Sequence, residues 1–276
     1  MGFKDILVHI DNSKSSAARL KFSTRLAAAF EANLIGFDTL YALDVPSYLE
    51  AQFGSDIVSK VMQESRQRAA KREQAFLEVT RRAGVRGEWR LVEGKPLDLL
   101  VQHGRYTDLL VVGQGNPHDP YDKGKNLADR LVLESGRPQL VIPYVGVYQP
   151  LIDHILLAWN GRREAVRTVH DALPLLKRAK KVTVIAMNPA AGKKHGPIPG
   201  ADISLHLSRH GVNAEAGHMV RNELSFADAL LSRAADDGAG MLVMGAYGHS
   251  RLRETVLGGA TREILQHMTI PVFMSH

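Results

Sequence analysis

The chain has 276 residues, 45% of them hydrophobic and 23% charged, with a formal net charge of +6 from 35 basic and 29 acidic residues. That length accommodates two domains of ordinary size, and no apolar run approaches the roughly 18 residues that span a membrane. The absence of cysteine excludes disulfides, thiolate zinc sites and thiol chemistry, and fits a reducing cytoplasm.

The charge excess is spread along both halves rather than gathered in a stripe, which argues against a nucleic-acid binder. A strand pattern begins within a few residues of Met1, so no signal peptide is expected. Ile6 stands where a myristoylation signal needs Ser or Thr.

The first predicted strand is the apolar run ending at Asp11. A long helix follows over Ser55–Ala83, with Val58, Met62, Ser65, Ala69, Arg72, Phe76, Val79 and Ala83 at spacings of four and three. Two readings stand for it: a long helix covering the sheet, or a mixed seam for a partner or an oligomer. Strand patterns at 108–113 and 137–142 close the first half. The segment Pro143–Pro150, with two prolines and a glycine, reads as a linker.

The second half repeats the first. Strands are predicted at Ile155–Trp159, Val182–Met187, Ala214–Val220, Met241–Met244 and Val272–Ser275. Helices are predicted near Arg163–Arg178, Asp202–His210, Phe226–Asp236 and Ala260–His267, with Gly211 as a helix-terminating glycine. The opening 4–11 matches 153–160, 108–113 matches 240–245, and 137–142 matches 270–275. Near-continuous apolar strands alternating with helices predict parallel sheets covered on both faces, with ligands at the carboxyl edge. The expected domains are therefore residues 1–146 and 151–276.

The chemistry concentrates after the predicted strand Met241–Met244. Gly245 and Gly248 are followed nine residues later by Gly258 and Gly259, then Ala260 and Thr261 and a helical pattern. Glycines between a strand and a helix leave backbone N–H groups open to an anion. The spacing is neither a P-loop nor a dinucleotide fingerprint. A turn-only role for these glycines is the alternative. His249, Arg251 and Arg253 inside the motif read equally as phosphate contacts or as a solvated basic loop, and Tyr247 and Trp159 read as core or pocket wall. His206 and His210 stand one turn apart, but no third ligand is nearby in sequence, so no metal site is expected. Asp236 and Asp237 read as surface charge, and no nucleophile–base pair is legible.

The glycine motif and the paired strand openings, Ile6–Asp11 and Ile155–Asn160, resemble the universal stress protein family in its tandem form. The resemblance covers nearly the whole chain. It implies an α/β fold of two tandem five-stranded parallel sheets, each sandwiched between helices in three layers. It also implies a pseudo-dimer made within one chain through the last strands. The family divides into members that bind ATP and members without nucleotide.

By position, the resemblance assigns an adenine nucleotide (ATP, ADP or AMP) to the second half. Gly245, Gly248, Gly258, Gly259, Ala260 and Thr261 would line the phosphates. Asn160 would sit on the ribose or metal side, and Met187 would receive adenine through its backbone. Gly259 stands where the family's binding motif has Ser or Thr, and Asn160 where it has Asp, a weaker ligand set for Mg²⁺. The first half keeps Asp11, but Pro117 and Pro120 lack N–H donors and Asp119 and Asp122 would repel phosphate, so no nucleotide site is expected there. The implied role is regulation or signalling in a stress response, through an unidentified protein partner. A nucleotide-free scaffold is the main alternative, and a slow ATP hydrolase a weaker one.

Overall fold

A computed structural model describes residues 2–40, 55–119, 126–146, 148, 153–186, 200–217, 219, 224–248 and 259–276, with the backbone alone at 55–58. The first half runs β1 (Asp5–Ile10), α1 (Ser16–Phe30), β2 (Asn33–Leu40), α2 (Ser55–Arg82), β3 (Gly87–Glu93), α3 (Pro96–Gly104), β4 (Leu109–Gly113), α4 (Leu127–Glu134) and β5 (Gln139–Ile142). The second runs β6 (His154–Trp159), α5 (Arg163–Leu176), β7 (Lys181–Ala186), α6 (Ala201–Arg209), β8 (Ala214–Gly217), α7 (Phe226–Asp236), β9 (Met241–Gly245), α8 (Gly259–His267) and β10 (Val272–Ser275).

The strands form one ten-stranded sheet in the order β3-β2-β1-β4-β5-β10-β9-β6-β7-β8. Each half is a parallel five-stranded sheet of the same order, as the repeat and its apolar strands implied. The halves join through their last strands, which run antiparallel with Val141 opposite Val272 and Leu140 opposite Phe273. The three-layer tandem fold and the pseudo-dimer within one chain are thus present.

Side chains alternate across the pleat, so the inner strands feed two apolar layers. Val8, Val111, Leu140, Phe273, Val243 and Leu157 build one layer. Leu7, Leu110, Val141, Val272, Leu242 and Leu156 build the other. Both layers cross the β5–β10 seam without interruption, so the two halves share their cores.

The long helix covers the sheet with its C-terminal part. Phe76 and Ala69 are fully buried, and the Phe76 ring lies 5.5 Å from that of Trp89 on β3. Arg72, on the same face, reaches Asp38 at the end of β2. The first turns carry exposed Ser59 and Lys60, and the side chain of Val58 lies outside the described residues. Gly211, with φ at +79°, ends α6 as the sequence suggested. β8 is shorter than the predicted 214–220, stopping at Gly217, with 218 and 220 outside the described residues. Of the linker segment, 147, 149 and 150 also lie outside them, as does Met187 at the predicted end of β7.

Candidate functional site

In the second half, β6 and β9 lie side by side in the middle of their sheet and end at the same edge. Asn160 leaves β6, and its side-chain oxygen accepts a hydrogen bond from the Arg162 N–H at 3.0 Å. That bond turns the chain into α5. Gly245 ends β9 against the start of the same helix. A Cβ there would stand 2.7 Å from the Ala165 nitrogen and 2.8 Å from the Glu164 carbonyl carbon. Only glycine lets these two backbones approach so closely.

The chain then passes through Ala246 and Tyr247, whose φ of +55° is left-handed, to Gly248. A Cβ on Gly248 would lie 3.4 Å from Asn160 Nδ2 and 3.6 Å from Glu164 Oε2. The Arg162 guanidinium donates to the Gly248 carbonyl. Asn160, Gly245 and Gly248, far apart in sequence, therefore meet at one edge. Gly259 and Ala260 open α8, with Gly259 exposed and open space where its side chain would be. Thr261 is buried, and its hydroxyl accepts from the Tyr247 N–H at 3.2 Å. Its oxygen thus ties the glycine loop to α8. Gly258, Met187, His249, Arg251 and Arg253 lie outside the described residues.

Sequence reading passed over three polar side chains at this edge. Arg162 and Glu164 follow Asn160 within the strand-to-helix turn, a position that could have drawn attention to them. His276 comes from the chain end, and its Nδ1 lies 3.0 Å from the Ala246 carbonyl oxygen. Burial opposes ionisation of Glu164, but the Arg163 hydrogen bond, its own backbone and His276 together hold its carboxyl below the ordinary range. The edge therefore carries both cations and a carboxylate.

The first half fills the same edge with its own side chains. Arg19, at the position matching Thr168, is buried and donates from Nε to the His9 carbonyl at 2.8 Å. Its guanidinium pairs with the Asp11 carboxylate at 2.9 Å. A Cβ on Gly113, the counterpart of Gly245, would collide with it. Burial disfavours the Asp11 anion, yet Arg19, His9 and Ser13 overcome this and hold its carboxyl far below the usual range. Burial drives the His9 imidazole down to about 4, against the pull of Asp11. Burial also raises Asp38 to about 6, although Arg72 stands 2.8 Å away. Asp119 accepts from the Lys14 N–H at 2.8 Å. Pro120 and Asp122 lie outside the described residues.

The seam between halves is polar at this end. Tyr247, expected in core or pocket wall, donates its hydroxyl to Asp129 of α4, which also faces Arg262 Nε at 3.3 Å. Gln114 Nε2 donates to the carbonyls of Leu265 and Gln266, each at 3.0 Å. The glycine loop of the second half is thus anchored on the first.

No protein-family model matches the chain. A universal stress protein from Synechocystis is 25% identical over 170 residues, 60% of this chain and 56% of that protein. The match therefore spans little more than half the length of that relative. Among solved structures, a universal stress protein from Archaeoglobus fulgidus superposes with a TM-score of 0.75 at 15% identity, over 98% of this chain and 95% of that one. A functionally unknown protein from Pseudomonas aeruginosa gives 0.59 at 14% identity, over 99% and 92%. At these identities the two structures speak to fold alone.

Proposed function

From a chain that resembles the universal stress protein family in fold over nearly its whole length and in sequence over 170 residues, we propose a regulatory protein of the stress response that binds an adenine nucleotide in its second half. The observation that carries this reading is the meeting of Asn160, Gly245 and Gly248 at the edge where α5 begins. Close backbone approach and a helix N-terminus at Gly259 suit the phosphates of ATP, ADP or AMP. Gly258, Ala260 and Thr261 would complete the phosphate side, Asn160 would meet the ribose, and the Met187 backbone would meet adenine. Mg²⁺ would have an amide rather than a carboxylate at Asn160, which favours occupancy over hydrolysis.

The domains are residues 1–146 and 151–276, and only the second binds. Arg19 lies where a ligand of the first half would approach Gly113. Occupancy would act on a protein partner by favouring one arrangement of the loop over another, and only to the extent that nucleotide affinity differs between them. Tyr247 offers the route, since it links that loop to Asp129 in the first half. A cytoplasmic setting agrees with the absence of cysteine, and among the described residues no helix is long and apolar enough to cross a membrane.

The test is chromatography of the nucleotide released when freshly purified, undialysed protein is denatured. About one equivalent is expected, and Gly259→Asp should abolish it. That substitution enters open space, and an acid suits a helix N-terminus while repelling phosphate. An empty protein that also gains no thermal stability with millimolar ATP would overturn the proposal, since ligand at 100 times Kd stabilises by about 2.7 kcal/mol. The second reading, a nucleotide-free scaffold, is favoured by one observation: the Glu164 carboxylate stands beside Gly248.

A further inference from the structure

We propose that His170, His206 and His210 form a binding site for a late first-row divalent metal ion of the zinc, nickel or copper class. His206 and His210 stand one turn apart on α6, with ring centres 4.7 Å apart. No third ligand is near them in sequence, but the fold supplies one. His170, on α5, lies 5.7 Å from His206 and 6.4 Å from His210, centre to centre.

These distances suit a common ion. A triangle with those three sides has a centre about 3.3 Å from every corner. An imidazole nitrogen lies about 1.2 Å from its ring centre, and a zinc–nitrogen bond is about 2.0–2.1 Å, so an ion sits about 3.2 Å from the ring centre it ligates. Three neutral imidazoles suit zinc, nickel and copper better than the oxygen-seeking magnesium or calcium. Asp202, one turn before His206 on the same helical stripe, or water would supply a fourth ligand.

Among the described residues, no group of three or more His, Cys, Asp or Glu is placed to hold a metal ion with the side chains as they stand. The rings meet edge to face, at 61° to 88°. Capture therefore requires the rings to turn about their side-chain torsions while the helix backbones stay in place. His170 is exposed and the other two are half-buried, which leaves room for that rotation. None of these residues belongs to the proposed nucleotide set, so the two proposals stand or fall separately.

The test is titration of the full chain with Zn²⁺ by calorimetry at pH 7.5, with Co²⁺ as the spectroscopic probe. The expected result is about one saturable equivalent and visible Co²⁺ bands of a four-coordinate site. His170→Ala, at an exposed position, should weaken Zn²⁺ binding roughly tenfold or more while leaving circular dichroism and thermal unfolding of the metal-free protein unchanged. His206→Ala and His210→Ala should weaken it at least as much. His118→Ala, on an exposed loop of the first half, should change nothing. No saturable equivalent, or binding unaltered by His170→Ala, would overturn the proposal.

Discussion

Replacing His9 with glutamine should remove a contribution to stability that mild acid erodes. His9 lies in the middle of β1, 5% exposed, and burial holds its imidazole at about 4, below the ordinary 6.5. The folded state therefore binds a proton at His9 more weakly than the unfolded chain does. Its stabilising contribution is complete above pH 6.5 and is lost as pH falls from there through 4. At 1.36 kcal/mol per pH unit, the loss reaches about 2 kcal/mol at pH 5 and about 3 kcal/mol at pH 4. Asp38 acts with the opposite sign. Its pKa is raised to about 6 by burial, so its contribution is complete below the ordinary carboxylate value and is lost as pH rises through 6. Over pH 4–6 the two nearly offset each other in the parent chain, which hides both. His9→Gln uncovers them, because Asp38 is common to both proteins and cancels in the difference. The assay is urea unfolding at pH 7 and pH 5, followed by the fluorescence of Trp89 in the first half and Trp159 in the second. The destabilisation caused by His9→Gln at pH 7 should shrink by about 2 kcal/mol at pH 5. A difference that stays constant to within about 0.5 kcal/mol would refute the buried, neutral imidazole.

Two further substitutions test the packing and the seam. At Gly36 on β2 a Cβ would stand 2.7 Å from the Phe76 ring and 2.8 Å from that of Trp89. Gly36→Val should therefore cost about 1–3 kcal/mol through overpacking, read as a lower melting temperature. An unchanged melting temperature would mean that α2 does not press on the sheet there. Asp129→Ala removes the acceptor of the Tyr247 hydroxyl and the partner of Arg262. It should cost about 1–3 kcal/mol. Burial, then Asp129, holds the Tyr247 phenol above its ordinary range, so the variant should ionise at lower pH in ultraviolet titration, though burial alone still keeps it raised. A phenol that titrates as in the parent chain would show that the seam is not held through this bond.

Periodicity is a local property, set by dihedral angles and by residues a few positions apart. That is why the strands and helices of the second half, and in the first half the opening strand, the long helix and the two strands near 109–113 and 139–142, were legible from the sequence. The helix Phe226–Asp236 was predicted with the bounds it has, and Arg163–Leu176 stops two residues before the predicted end. The glycines marked the carboxyl edge for the same reason: a strand followed by glycine and then a helix is a local signal. The resemblance, rather than the residues, implied that the last strands of the two halves pair.

What depends on distant surfaces meeting was decided by the tertiary structure alone. Nothing near Arg19 in sequence says that its guanidinium would lie buried against Gly113, 94 positions away, and fill the first-half edge. Tyr247 gave no sign that its hydroxyl would reach Asp129, 118 positions earlier. The pair His206 and His210 looked incomplete because its third imidazole sits on another helix, at His170. A side chain carries its chemistry in its own atoms, but its partners are chosen by how helices pack on a sheet, and that choice belongs to the whole chain.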